Sequence, residues 1–225
     1  TIHNKYSRFF RFIFFLRYIF GLFTIATILF FFVPNYFNYE KRLEIFKNHL
    51  IKNYDIKILK YEKIKFNSFP VPYIEFKNAL LKLNTPQVEL NVKKFKIYPK
   101  FLSIYNYQNF KSNKIVFKNS NMILETLNFK FFVKKFINQK NNFFFDDLNI
   151  KINDVSKSLV LIEKVKFKNY GYKKNIIEGH IFSKKFKTKI NDNLNNINFK
   201  LLKSGLNINI YLDDKINKAS INGVF

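Results

Sequence analysis

The chain has 225 residues, 48% apolar and 24% charged, with 31 Phe, 13 Tyr, 5 Gly and neither Trp nor Cys. Without Cys there is no disulfide framework, thiol nucleophile or Cys-based metal site. The glycines are too scattered for a phosphate-cradling G-x-G-x-x-G or Walker loop, and the three His (His3, His49, His180) form no H-E-x-x-H. No enzyme class gains support, and no cofactor or metal is expected. The formal charge of +25 comes from 40 Lys and Arg against 15 Asp and Glu. Phe, Ile, Lys, Asn and Tyr dominate, and all five have A/T-rich codons, so codon bias accounts for much of the excess. The rival account is a surface that meets anionic lipid or nucleic acid.

Residues 12–33 read FIFFLRYIFGLFTIATILFFFV, with Arg17 the one charge. As a helix this run is about 33 Å long at 1.5 Å per residue, enough for a hydrocarbon core of about 30 Å. Arg17 lies near one end and can snorkel. The upstream charges Lys5, Arg8 and Arg11 are positive, whereas Glu40, Lys41, Arg42 and Glu44 downstream are mixed. The positive-inside bias therefore predicts residues 1–11 cytoplasmic, 12–33 a transmembrane anchor, and the remainder across the membrane. No small-x-small cleavage pattern follows, and bulky Tyr36, Phe37 and Tyr39 favour an uncleaved anchor over a signal peptide or a buried helix.

Residues 34–54 are a linker and a short helix over 40–53. Leu43, Phe46 and Leu50 make its apolar stripe, Glu40 and Lys52 suit the helix dipole, and Asn53 stops it. His49 is expected on the exposed surface.

From Asp55 onward the period becomes two. Leu148, Ile150 and Ile152 alternate with polar residues, as do Ile197, Phe199 and Leu201, and Leu206, Ile208, Ile210 and Leu212. Val88, Leu90 and Val92 share a face, after which Phe95 and Ile97 switch parity, as a bulge would cause. Further candidate strands cover 56–66, 73–83, 114–118, 122–125, 159–167 and 176–183. One apolar and one wet face suits an antiparallel sheet. With no helical crossover evident, residues 55–225 are expected to form one long antiparallel meander. Phe129, Phe132, Val133, Phe136 and Ile137 fit a helical stripe beside Lys130, Lys134, Lys135 and Lys140. That amphipathic helix would cover part of the sheet or touch a membrane surface. The pairs Asp146–Asp147 and Asp213–Asp214 are expected in turns, with nothing to organise them for acid–base work.

The F-P-V-P segment has its own logic. Pro70 and Pro72 lack amide donors, so they fit a strand start or an edge, and each pushes its predecessor, Phe69 or Val71, into extended geometry. Phe69, Pro70 and Pro72 thus form a structural corner between two strands.

This order of features resembles the amino-terminal part of the AsmA family. An anchor and a short helix lead into Phe69-Pro70-Val71-Pro72 and Tyr-Ile-Glu-Phe-Lys-Asn. Residues 88–98 follow, then Pro99-Lys100-Phe101-Leu102-Ser103 and a strand pair ending Leu124-Glu125. The likeness spans residues 12 to about 127. It departs from the family in carrying Asn53 where Gly is frequent, and in its shortness. It implies a protein anchored in the inner membrane with its bulk in the periplasm, and a sheet curled into a trough. The implied function is phospholipid transport between inner and outer membranes and outer-membrane assembly. The implied partners are membrane phospholipids and other envelope proteins. Val88, Leu90, Val92, Leu148, Ile150, Ile152, Ile197, Phe199, Leu201, Leu206, Ile208, Ile210 and Leu212 would line the groove. Thr1 and the carboxyl end inside an alternating run suggest a fragment, or a short protein needing a partner to extend the trough. Three rivals remain. One is an envelope assembly factor with a closed, dry core. Another is a basic nucleic-acid binder, disfavoured because the anchor exports the domain. The third is a membrane-bound enzyme, for which no residues are organised.

Overall fold

A computed structural model describes residues 2–84, 87–106, 108–155, 157–191, 196–213 and 218–224; the side chains of residues 2–9, 130, 136, 137, 212, 213, 218, 219 and 221 lie outside that description. Helix α1 (Ile2–Phe32) runs into a 3-10 turn, Val33–Tyr36. Among the described residues it is the one helix long and apolar enough to cross a membrane, and none of its most apolar stretch is buried. Its two threonines are satisfied within the helix. The Thr24 and Thr27 hydroxyls donate to the carbonyls of Phe20 and Phe23, both at 2.8 Å. A second 3-10 turn, Glu40–Arg42, opens helix α2 (Leu43–Tyr54). The helix ends one residue beyond Asn53, at Tyr54, and is capped by Asp55, whose φ of 56° is left-handed and whose N–H donates to the Ile51 carbonyl at 3.1 Å.

Twelve strands follow in one unclosed sheet. They are β1 (Ile56–Lys60), β2 (Lys63–Asn67), β3 (Tyr73–Leu83), β4 (Val88–Pro99), β5 (Ser112–Glu125), β6 (Phe143–Asp154), β7 (Lys157–Lys168), β8 (Ile176–Ile181), β9 (Lys184–Ile190), β10 (Asn196–Leu201), β11 (Asn207–Asp213) and β12 (Lys218–Val224). The expected strand 56–66 is two pieces, β1 and β2, set end to end along β3. The corner Phe69, Pro70 and Pro72 joins β2 to β3, with a cis Phe69–Pro70 bond and Phe69 86% exposed.

The pairing is antiparallel except at one place. β5 and β6 are parallel, joined by helix α3 (Thr126–Asn138). The expected wholly antiparallel meander is corrected here. Parallel neighbours need a return connection of about a dozen residues or more, and the predicted amphipathic helix is that crossover. Phe132 and Val133 of α3 pack on the core; the side chains of Phe136 and Ile137 lie outside the described residues.

The core follows from register. Partners on one face align Ile64, Phe76, Phe95, Phe117, Phe145, Phe167, Ile177, Thr188, Phe199, Ile208 and Gly223 in a single row across the sheet. Ring centroids are 5.8 Å apart from Phe76 to Phe95, 5.1 Å to Phe117 and 4.6 Å to Phe145. Phe76, Phe95 and Phe117 are fully buried. Phe46 of α2 packs on Phe76 at 6.4 Å, and Phe110 packs on Phe46 at 5.0 Å. Lys135 of α3 donates to the Asp55 carboxylate at 2.6 Å, tying the helices together.

Beside this row the strands share a crease. Buried positions run 74, 76 then 79, 81, 83 on β3, and 95, 97 then 88, 90, 92 on β4. β5 and β6 switch parity at Asn119 and Asp147, whose φ values are 51° and 67°, and β7 does so near Lys164, φ 51°. Asn78 on β3 also has positive φ, 45°. The parity switch expected on β4 is thus one member of a line of bulges over five adjacent strands. Each re-aims its strand so the apolar side chains stay on one face.

Phe117→Ala should cost about 3–5 kcal/mol. Leu127→Ala, on an 84% exposed α3 side chain, should stay within about 0.5 kcal/mol. Urea unfolding of the full chain in detergent reads both; equal midpoints would contradict the packed row.

Candidate apolar cavity

Between α3 and the sheet lies a cavity of about 340 Å³. Its floor is the inner face of β6 to β11, and one wall is Phe129, Phe132 and Val133 of α3. Thr188 is the sole polar residue among the eighteen that line it. The volume lies at the lower end of the range for ligand pockets, about 300–1,000 Å³. Its chemistry is apolar contact without a directional partner.

Six of the residues expected to line a groove meet here: Leu148, Ile150, Ile197, Phe199, Ile208 and Ile210. Val88, Leu90, Val92 and Ile152 sit instead in the continuous buried core. Leu201 and Leu206 are half-buried beside the β10–β11 turn, where the Leu201 N–H donates to the Leu206 carbonyl at 3.0 Å. The side chain of Leu212 lies outside the described residues. Burial is uneven along the face. The inward residues of β3 to β6 are buried, as are Val165 and Phe167 of β7 and Phe186, Thr188 and Ile190 of β9, whereas Ile177, Ile181, Ile197, Phe199, Ile208 and Ile210 are only half-buried.

Sequence reasoning missed β9, whose Phe186, Thr188 and Ile190 face the cavity. The signal was present as period-two spacing between lysines, with Thr188 interrupting the apolar series. Gly179 of β8 sits opposite Phe186, and a Cβ there would lie 2.9 Å from its ring and 3.0 Å from the Glu163 carbonyl.

A polar cavity of about 610 Å³ lies on the far side of α2, lined by His49, Lys52, Lys100, Lys111 and Ser112 among others. His49, expected exposed, is half-buried. Its Nε2 is 2.8 Å from Ser112 Oγ, and its Nδ1 is 3.0 Å from Asn53 Nδ2. The Asn53 amide is oriented by a 2.9 Å donation to the His49 carbonyl. Nδ1 therefore accepts, and Nε2 carries the proton and donates to Ser112.

Asp146, expected in a turn, lies within β6 and pairs with Lys118 at 3.5 Å and Lys166 at 3.3 Å. Asp147 occupies the crease, and Asp214 lies outside the described residues. Among the described residues no group of three or more His, Asp or Glu is placed to hold a metal ion.

Comparison with protein-family models, curated proteins and solved structures finds no match.

Burial lowers the His49 pKa from its ordinary 6.5. The unfolded chain then binds the proton more readily than the folded one. Stability is complete above about pH 6.5 and falls as pH drops toward the depressed folded value. The melting temperature of the full chain should fall more steeply between neutral and mildly acidic pH than that of His49→Gln. Parallel curves would contradict this.

Proposed function

We propose that this chain is an AsmA-like envelope protein. Helix α1 anchors it in the inner membrane with the amino terminus cytoplasmic, and the sheet stands in the periplasm. Phospholipid passes along the apolar face between the inner and outer membranes and supports outer-membrane assembly. The observation that carries this reading is the apolar cavity and the half-covered face beyond it. The line of bulges supplies the bend that a trough requires. Each lipid methylene withdrawn from water there contributes about 0.8 kcal/mol, so acyl chains are held without a headgroup site. Transport is passive: no bond is made or broken, and no residue is catalytic. The groove is confined to the β6–β11 half of the sheet. Eleven strand positions at about 4.8 Å extend roughly 50 Å, so a longer conduit needs a partner that continues the strip.

A second reading, an assembly factor without lipid flow, is favoured by the buried phenylalanine row on β3 to β6, which leaves that half no room for a lipid. The two readings differ in cargo. The full chain, purified in detergent, should carry phospholipid detectable by mass spectrometry. Ile208→Asp/Ile210→Asp should reduce it about tenfold or more, because a carboxylate facing acyl chains is costly. Asn209→Asp, on the opposite face of β11, should leave it unchanged. A folded double variant with undiminished lipid would defeat the carrier reading.

A further inference from the structure

A separate cavity of about 380 Å³ opens where α1 meets the foot of the sheet. Its lining is divided. Phe30, Phe31 and Phe101 supply apolar surface, while Lys114, Tyr98 and Tyr170 supply a cation and two phenols. The end of α1 is fixed here. Phe30 stacks on Phe101 with ring centroids 4.8 Å apart, and the Tyr105 hydroxyl donates to the Phe30 carbonyl at 2.5 Å.

Lys114 Nζ lies 4.7 Å from the Tyr98 ring centre and 5.7 Å from that of Tyr170. Aromatic faces orient an ammonium without neutralising it. Among the described residues no carboxylate forms an ion pair with Lys114. The cavity thus holds one half-buried positive charge without a counter-ion. Burial raises the pKa of both phenols, so they stay protonated as donors.

Depth adds the ligand's identity. With α1 as a membrane span, which this inference takes from the proposed function, the apolar run ends near Val33 and the 3-10 turn Val33–Tyr36 enters the headgroup layer. That layer adds roughly 5–8 Å on each side of a hydrocarbon core of about 30 Å. The cavity that includes Phe30, Phe31 and Pro34 therefore sits at the depth of lipid phosphates.

We propose that this cavity binds the phosphate of an anionic membrane phospholipid, with Lys114 as its counter-charge, Tyr98 and Tyr170 as donors, and the acyl chains lying along Phe30 and Phe31. It is a resident site at the anchor, distinct from the apolar cavity under α3.

The test uses the full chain taken from phosphatidylcholine vesicles containing a minor fraction of phosphatidylglycerol, with retained lipid counted by native mass spectrometry. Wild type should retain phosphatidylglycerol in preference to phosphatidylcholine. Lys114→Gln should lose that preference about tenfold, the loss expected for one charge-assisted contact. Lys114→Arg should keep it, and Lys184→Gln, on remote β9, should not alter it. Ile208→Asp/Ile210→Asp should leave it intact, which separates this site from the carrier reading. An unchanged preference in Lys114→Gln, or an equal loss in Lys184→Gln, would overturn the proposal. Release of the lipid by excess inorganic phosphate would identify free phosphate as the ligand and overturn the lipid assignment.

Discussion

An apolar sheet face has to be covered, and in this protein the cover becomes incomplete partway across. α2, α3 and the segment carrying Ile104 and Phe110 supply apolar partners for the first six strands. There the inward side chains reach full burial. Beyond β6 the same face continues in register, through Phe167, Ile177, Thr188, Phe199 and Ile208. There Val165 and Phe167 of β7 and Phe186, Thr188 and Ile190 of β9 are still buried, while the side chains on β8, β10 and β11 are only half-covered. At about 25 cal/mol per Å² of apolar surface left in water, an uncovered face is a standing cost. A lipid tail is one way to remove it.

What holds the face together is the coincidence of two patterns. Register places one phenylalanine on each strand from β3 to β7, and the line of bulges resets parity beside them. A single residue misplaced in one strand would turn its apolar side chains to solvent. The crease therefore has to be shared by neighbouring strands. The left-handed φ at Asn78, Asn119, Asp147 and Lys164 marks where it crosses four of them. Asn and Asp tolerate that conformation better than most residues; Lys164 does not share that tolerance, and its N–H is held by Asn149 Oδ1 at 3.0 Å.

Period-two alternation made the strands readable, and the apolar run made α1 readable, because both patterns are local. The cover over the face is not local. Val88, Leu90 and Val92 carry the same alternation as Ile208 and Ile210, yet the former are core and the latter line a cavity. What separates them is where α2 and α3 fold back, which depends on residues far away in sequence. The parallel β5–β6 step was hidden for a related reason: a helix of thirteen residues reads alike as a cover or as a crossover. His49 was misjudged because the residues that bury it, Phe110 just before β5 and Ser112 at its start, lie about sixty residues downstream. Lys114 gave no signal at all. Its isolation from carboxylates is visible only once β4, β5 and the end of α1 are assembled.

The change of cover along one continuous face can be read directly, because the chain has no native Cys. Single-cysteine variants Ala79→Cys and Ile210→Cys, compared with exposed Ser204→Cys, report reaction rates with an apolar maleimide in the folded full chain. Ile210→Cys should react within about tenfold of the exposed reference, and Ala79→Cys should react only through global opening, slower by several orders of magnitude. Equal protection at positions 79 and 210 would mean that the face is sealed along its whole length, and the account would fail.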